Sequence, residues 1–485
     1  MIRAYAVGQV RAAEASAMED LFDGELMQRA ALGLAEVAIA RLSERAGGVA
    51  VLVGSGDNGG DVLYAAAHLA RADHPVEVVL VGSHAHDGGV AAASGAGVSV
   101  LEWRGGEASP EVRAALAEAD VVLDGITGIG GRPGLPEHLV ALPELIGEDA
   151  YVIAVDLPSG ADPAGRTWSE TVYADETVTF SLTKPVHLLP PTEPATGLLT
   201  VVDIGVAEPS SPAVERLTHE DVARLWPVPG PDDDKYSRGV LGVVAGGELY
   251  TGAALMSVTA AVTAGVGMVR YVGPRHPTDL LRAAVPEAVF GVGRVQAWSI
   301  GSGLDVEQAD EEQLAAARDA LESDLPVLLD AGGLDLIDES RSAPTLLTPH
   351  AGELLRLARR LELADADDDQ VRRTPVDVAQ AVADRLDVTV LLKGAVTVVV
   401  PPTSAGLPIR SQSDGPSWLA TAGAGDVLAG LAGALLASGL SPLDAGSLAA
   451  LVHGVAADDA NPGGPVRAMD VAHQLGRTVA RLLSR

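Results

Sequence analysis

The sequence predicts two α/β domains in series, the first built on a Rossmann-like, doubly wound sheet. Three observations carry this. Short runs of Val, Ile and Leu recur along the chain, each closed by Gly, Pro, Ser or Asp. Helix-like segments separate the runs. The pattern breaks once, at Pro209, Ser210, Ser211 and Pro212, and then starts again. Strands buried on both faces read as continuous apolar runs, and their alternation with helices implies a parallel sheet covered on both sides. Pro- and Ser-rich stretches mark linkers, so the division falls between residues 1–213 and 214–485. A chain of 485 residues exceeds one ordinary core.

The elements follow in order. "VAVLVG" (Val49–Gly54) is the first strand; a glycine turn and the helical "DVLYAAAHLARA" come after it. "VEVVLVG", "ADVVLDG" and "YVIAVDLPSG" are further strands, each ending in turn residues. The second half supplies "VLGVVAGG", "MVRYVG", "AWSIGSG", "PVLLDAGG" and the hairpin-like "VTVLLKGAVTVVV". Its most apolar stretch, Val427 to Ala457, is interrupted by Ser438, Pro442 and Asp444, and reads as buried helices rather than a membrane span. There is no short-period internal repeat.

Composition narrows the function. Hydrophobic residues make up 47% of the chain and aromatics 3%, so the cores are built from Val, Leu and Ala. A net charge of −33 opposes contact with phosphate backbones, so no nucleic-acid partner is expected. The run Asp367–Asp369 reads as a solvated loop. Without cysteine there are no disulfides, thiolate metal sites or thiol nucleophiles. The opening "MIRAYAVGQVRAAEAS" has no apolar signal core, which points to a soluble, cytoplasmic protein with no membrane partner.

"GSGDNGGDV" lies between a strand and a helix. Gly54, Gly56 and Gly59 satisfy the dinucleotide spacing G-x-G-x-x-G. The rest of that fingerprint is missing. The next strand ends without an acid for a ribose, and Asp57 and Asp61 in the loop oppose a pyrophosphate. A hydroxylated ligand or a cation suits this loop better. Other strand ends offer Asp124, Asp156 with Ser159, and Lys184. In an open α/β sheet such ends converge on one crevice. Asn58, Asp124 and Ser159 there supply hard oxygen ligands for a cation, although each alone also reads as a cap or Asx-turn.

"TAGAGDVLAG" carries Gly423 and Gly425 just before a helix, whose free N–H groups favour an anion. Asp426 opens that helix. It reads either as a cap or as a general base beside a bound phosphoryl group. "LLKGAVTVVV" places Lys393 beside a tight turn, "LLTPHAGE" places His350 after a strand, and "GGELYTGAAL" opens a helix near Ala253. Lysine occurs only at Lys184, Lys235 and Lys393, each at a loop or strand end. Such positions suit a compact ammonium.

These motifs resemble a known family, the NAD(P)H-hydrate repair enzymes. "LMQRAA", "NGGDV", "DGITGIGG" and "DLPSG" are similar to its epimerase domain over roughly residues 1–210. "KYSRG", "YTGAA", "GSGL", "LLTPHAGE", "LLKGAVT" and "AGAGDVLAG" follow the order of its ribokinase-like dehydratase domain. The resemblance implies a K+ ion on Asn58, Asp124 and Ser159. It implies contacts to the hydrated dinucleotide from Asn58, Gly59, Gly60, Asp61 and Val62, from Gly128, Ile129, Gly130, Gly131, Arg132, Pro133 and Gly134, and from Asp156, which would handle the proton. In the second domain it puts Ala253, Gly303, His350 and the catalytic Asp426 at the hydrated nicotinamide. Lys393, Gly394, Ala395, Val396, Thr397 and Gly425 would border ADP or ATP, with Mg2+ on the nucleotide. Small-molecule substrates and a homo-oligomer are expected. The chain departs from the family at Asp57 and Val62, where Asn and Gly are common, and at Ser302, Asp305 and Trp418. The alternative reading is a small-alcohol or vitamin kinase with a non-catalytic, ligand-binding first domain.

Overall fold

The structure, a computed structural model, describes residues 1–43, 45, 47–363 and 367–484. It divides into two compact units, Arg3–Val214 and Glu215–Arg485 with Met1–Ile2.

The first unit holds a seven-stranded sheet in which every neighbouring pair is parallel. Across the sheet the strands run Ser99–Glu102, Val76–Leu80, Gly48–Val53, Ala119–Gly125, Tyr151–Val155, Glu176–Phe180 and Leu198–Val202. The order reverses between Gly48–Val53 and Ala119–Gly125, and ligands bind at such a switch point. The alternation of strand side chains explains the burial. Val49, Val51 and Val53 enter one core and Ala50 and Leu52 the other. Helix Glu25–Leu42 buries Ala30, Ala31, Leu34, Ala35 and Ala38, a helical stripe of small residues. The two outer strands are partly exposed, and Ser99–Glu102 is too short for its pattern to stand out from a loop.

The second unit repeats the plan. Its parallel strands lie in the order Val289–Phe290, Met268–Val272, Val240–Val244, Ala297–Ile300, Val327–Leu329, Thr345–Leu347 and Thr389–Leu392. Thr397–Val400 and Ile409–Gln412 continue antiparallel, as a hairpin after a tight turn allows. The switch point falls between Val240–Val244 and Ala297–Ile300. Helix Ala424–Ala437 is buried along nearly its whole length, and only Gly425 and Asp426 in its first turn are partly open. It crosses helix Thr251–Thr263 closely, because a side chain at Gly430 would run into the Ser257 carbonyl. Helix Pro442–Ala460 is the second buried helix of the apolar stretch. Among the described residues no helix is long and apolar enough to cross a membrane.

Candidate functional sites

In the first unit the carboxyl ends of the strands open into a cleft of about 1200 Å³. That exceeds the ~300–1,000 Å³ of ordinary small-ligand pockets and leaves room for a dinucleotide. Asn58, Asp61, Gly128 and Asp156 all line it.

Asp156 ends the strand Tyr151–Val155 with a left-handed backbone, φ 68°. Asp tolerates this conformation better than most residues, and such outliers gather at functional sites. Its carboxylate is ion-paired with Lys184 and accepts from the Thr179 hydroxyl at 3.0 Å. Lys184 also donates to Thr179 at 2.7 Å. Behind them His187 is fully buried. Its Nδ1 accepts the Lys184 N–H at 3.1 Å, so Nε2 carries the proton and donates to the Asp156 carbonyl at 2.8 Å. Burial, then Lys184, pushes the imidazole down to about 4, so it is neutral at pH 7. His187 thereby clamps the strained peptide while Lys184 aims the carboxylate.

Asp124 is wholly buried and accepts from the Ser159 hydroxyl at 2.6 Å and the Ser159 N–H at 2.8 Å. Burial raises its carboxyl. The Asn58 amide donates to the Val155 carbonyl at 2.6 Å and the Thr127 carbonyl at 3.1 Å, and Thr127 N–H donates to Ser159 at 3.0 Å. One hydrogen-bonded patch thus joins Asn58, Asp124 and Ser159. Gly128 abuts the Asn58 side chain where a Cβ would collide. Asp61 is buried at the cleft wall, and burial, then Asp156, Asp57 and Glu14, hold its carboxyl well above the usual range.

Not every expected contact faces the cleft. Val62 is fully buried and packs under Gly125 in the core, so its branched side chain does not narrow the site. Gly60 packs on Met27, and Gly59 on the Gly54 carbonyl. The cleft wall uses Gly128, Ile129, Gly130 and Gly131; Gly134 instead donates to the Gly160 carbonyl at 2.8 Å.

In the second unit the strand ends assemble an acid cluster. Asp330, 2% exposed, follows Val327–Leu329 and accepts from Ser302 at 3.0 Å, Thr348 at 3.0 Å and Lys393 at 2.7 Å. Lys393 also lies 3.5 Å from Glu353. Burial works against its charge, but Asp330 and Glu353 outweigh burial and hold the ammonium above the usual lysine range. A side chain at Gly425 would stand 3.4 Å from the Lys393 Nζ, so the ammonium borders the helix start. Asp426 sits in that first turn behind Gly423, whose φ of 92° and contact with Met256 leave no room for a side chain. Burial, and then the Asp330 carboxylate, push Asp426 up to about 6, against the pull of Ser302 and Lys393.

Gly303 and Ala253 are in contact: a Cβ on Gly303 would stand 2.5 Å from that of Ala253. His350 caps the helix Ala351–Arg360, its Nδ1 accepting from Gly352 at 3.0 Å. Of the segment Lys393–Thr397 it is Lys393 that reaches the acids; Gly394 to Thr397 close the hairpin, with Thr397 donating to the Gly394 carbonyl at 3.2 Å. Sequence reasoning passed over Asp330, Glu353, Thr179 and His187. Asp330 had a signal, an acid at a strand end before glycine, as at Asp124.

Residues 23–186 match the family model described as YjeF-related protein N-terminus, and residues 241–480 the one described as NAD(P)H-hydrate dehydratase. The bifunctional NAD(P)H-hydrate repair enzyme of Mycobacterium leprae is 43% identical over 481 residues, covering 95% of this chain and 94% of that protein. The chain belongs to the bifunctional NAD(P)H-hydrate repair enzymes. Another bearing that name, from Corynebacterium glutamicum, is 34% identical over 527 residues, covering 91% of this chain and 88% of its own. A crystal structure of the ADP/ATP-dependent NAD(P)H-hydrate dehydratase from Bacillus subtilis is 26% identical, covers 56% of this chain and 99% of that one, and gives a TM-score of 0.49. In this member of the repair-enzyme family, both constellations stand at the carboxyl edges of their sheets.

Replacing Lys393 by Met strands two buried carboxylates. Unfolding by denaturant at pH 7 is expected to show a loss of about 3 kcal/mol, the lower end for a broken buried pair because Ser302 and Thr348 still serve Asp330. The sign with pH is fixed. Unpaired buried carboxyls bind protons more readily folded than unfolded, so the variant should recover stability relative to wild type below about pH 5.

Proposed function

We propose that the chain repairs hydrated NADH and NADPH: the first unit interconverts the R and S hydrates, and the second dehydrates the S hydrate using ADP or ATP. The observation that carries the second activity is Asp426, an acid with a pKa near 6 at the mouth of an anion-binding helix start. The helix N–H groups and Lys393 receive the transferred phosphoryl group. Asp426 takes the proton of the ring hydroxyl as its oxygen attacks the terminal phosphorus, releasing AMP from ADP or ADP from ATP. The ring then loses a proton from the neighbouring carbon as the C–O bond breaks. Phosphate departs and the reduced nicotinamide remains. Hydroxide leaves poorly and phosphate well, which accounts for the nucleotide. Ala253 and Gly303, small and in contact, make room for the ring, and His350 borders it. Gly394, Ala395, Val396 and Thr397 edge the nucleotide.

Mg2+ fits as a companion of the nucleotide phosphates. Among the described residues no cluster of three acidic or imidazole groups is built to hold a metal alone. K+ fits the first unit, where Asn58, Asp124 and Ser159 share one oxygen-rich patch with a single carboxyl group. Its chemistry there is electrostatic anchoring of the substrate.

In the first unit, Asp156 is the proton-handling group of the interconversion. Lys184 and Thr179 keep its carboxylate aimed into the cleft, while His187 holds its backbone.

The decisive assay supplies S hydrate with ADP or ATP and follows absorbance of the reduced nicotinamide. Recovery is expected; none with either nucleotide refutes the reading, and a stable phosphorylated product would favour a kinase. Asp426→Asn should lower dehydration at least about 100-fold, the scale of a lost general base, with ADP affinity nearly unchanged by calorimetry. A collapse in ADP affinity would make Asp426 a structural cap. Because the ionised form is the base, wild-type dehydration should fall about tenfold per unit as pH drops below about 6. Asp156→Asn, which keeps the left-handed backbone, should slow R-to-S interconversion by about 100-fold or more, followed by chromatography of the epimers.

A further inference from the structure

A hydrated dinucleotide brings a pyrophosphate into the first unit's cleft. The helix start that would ordinarily take it, at Asp57–Arg71, bears the Asp57 carboxylate in its first turn and the buried Asp61 one turn on. The Asp57 carboxylate repels an anion, and neither side chain offers it a positive charge. Burial holds the Asp61 carboxyl well above the usual range, and Asp156, Asp57 and Glu14 add to the effect.

Another wall of the cleft, helix Val7–Met18, brings a cation. Arg11 lines it, with Glu14, three residues on, electrostatically coupled to the guanidinium. Among the described residues the Arg11 guanidinium has no hydrogen bond or ion pair. It lies against the glycine loop, where a Cβ built on Gly130 would stand 3.3 Å from its Nη2. Gly131 N–H turns back to the Gly128 carbonyl at 2.8 Å, but the N–H groups of Ile129 and Gly130 donate to no protein group. An unpaired guanidinium beside two unpaired amides, on a loop without side chains to hold a ligand off, is an anion subsite by its chemistry. The family match begins at residue 23, so Arg11 lies outside it.

We propose that Arg11, with the N–H groups of Ile129 and Gly130, binds the pyrophosphate of the hydrated dinucleotide. The assignment rests on the epimerase reading. It also orients the substrate: the phosphates sit on the Gly128–Gly131 wall, and the hydrated ring reaches Asp156.

The test uses the full chain with Arg11→Gln and Arg11→Lys. In R-to-S interconversion, Arg11→Gln should raise KM on the order of tenfold with kcat within about twofold, and Arg11→Lys should fall between. Inorganic pyrophosphate should inhibit wild type competitively and the Gln variant at least about fivefold less well. Dehydration of the S hydrate by the same preparation measures the folded enzyme present. An unchanged KM with unchanged pyrophosphate inhibition overturns the assignment, as does a fall in kcat alone. Calorimetric binding of pyrophosphate to wild type, read as its difference from Arg11→Gln, separates the two hypotheses. A difference without interconversion would refute the epimerase reading and keep the anion subsite.

Discussion

Parallel strands impose the constraint from which the rest follows. Each must be followed by a crossover that returns the chain to the same end, so every strand releases its outgoing loop on one edge of the sheet. Residues far apart in sequence then become neighbours without any contact selected for that purpose. In the first unit this brings Asn58 and Asp156 to one cleft, with Asp124 buried against Ser159 and Lys184 buried against Asp156, from four strand ends. In the second it brings Ser302, Thr348 and Lys393 to the Asp330 carboxylate. The strands themselves are interchangeable apolar runs; the chemistry resides in the first few residues after each.

Both units confront the same electrostatic conflict, an acid placed where a helix start invites an anion. They settle it differently. In the second unit a cation accompanies the acid: Lys393 stands at the helix start by Gly425, next to Asp426. Burial and Asp330 push that acid up to about 6, so its carboxyl exchanges a proton close to neutrality. The first unit crowds Asp57, Asp61, Asp156 and Glu14 together, and a single lysine beneath them pairs with Asp156. There the helix start is given up as an anion site and the glycine loop with Arg11 is left to take it.

Much of this was legible in the chain. Continuous apolar runs gave the buried strands, and Pro209 to Pro212 marked the break in pattern. Acids and glycines at strand ends pointed to Asp124, Asp156 and Asp426 as site residues. What escaped reading was of two kinds. Edge strands such as Ser99–Glu102 are half-solvated and only a few residues long, so no periodicity marks them. Supporting residues such as Thr179 and His187 are chosen by packing around a neighbour distant in sequence, and nothing local distinguishes them. Val62 shows the reverse error. Its place in a ligand-binding motif suggested a side chain in the site, yet in the second turn of its helix it falls on the face packed under Gly125 in the core.

The left-handed backbone at Asp156 carries one more consequence. Gly, Asn and Asp occupy that region most readily, so sterics favour a short list here, although Ser181, Ala331 and Glu362 show that other side chains can be held there. Of these, only Asp carries a carboxyl group that can give or take a proton while keeping to the short list. The position is fenced twice, by independent physical criteria. Its mutational neighbourhood is therefore narrow: Asn or Gly keeps the backbone at the cost of the acid, and a longer acid keeps the charge at the cost of backbone strain.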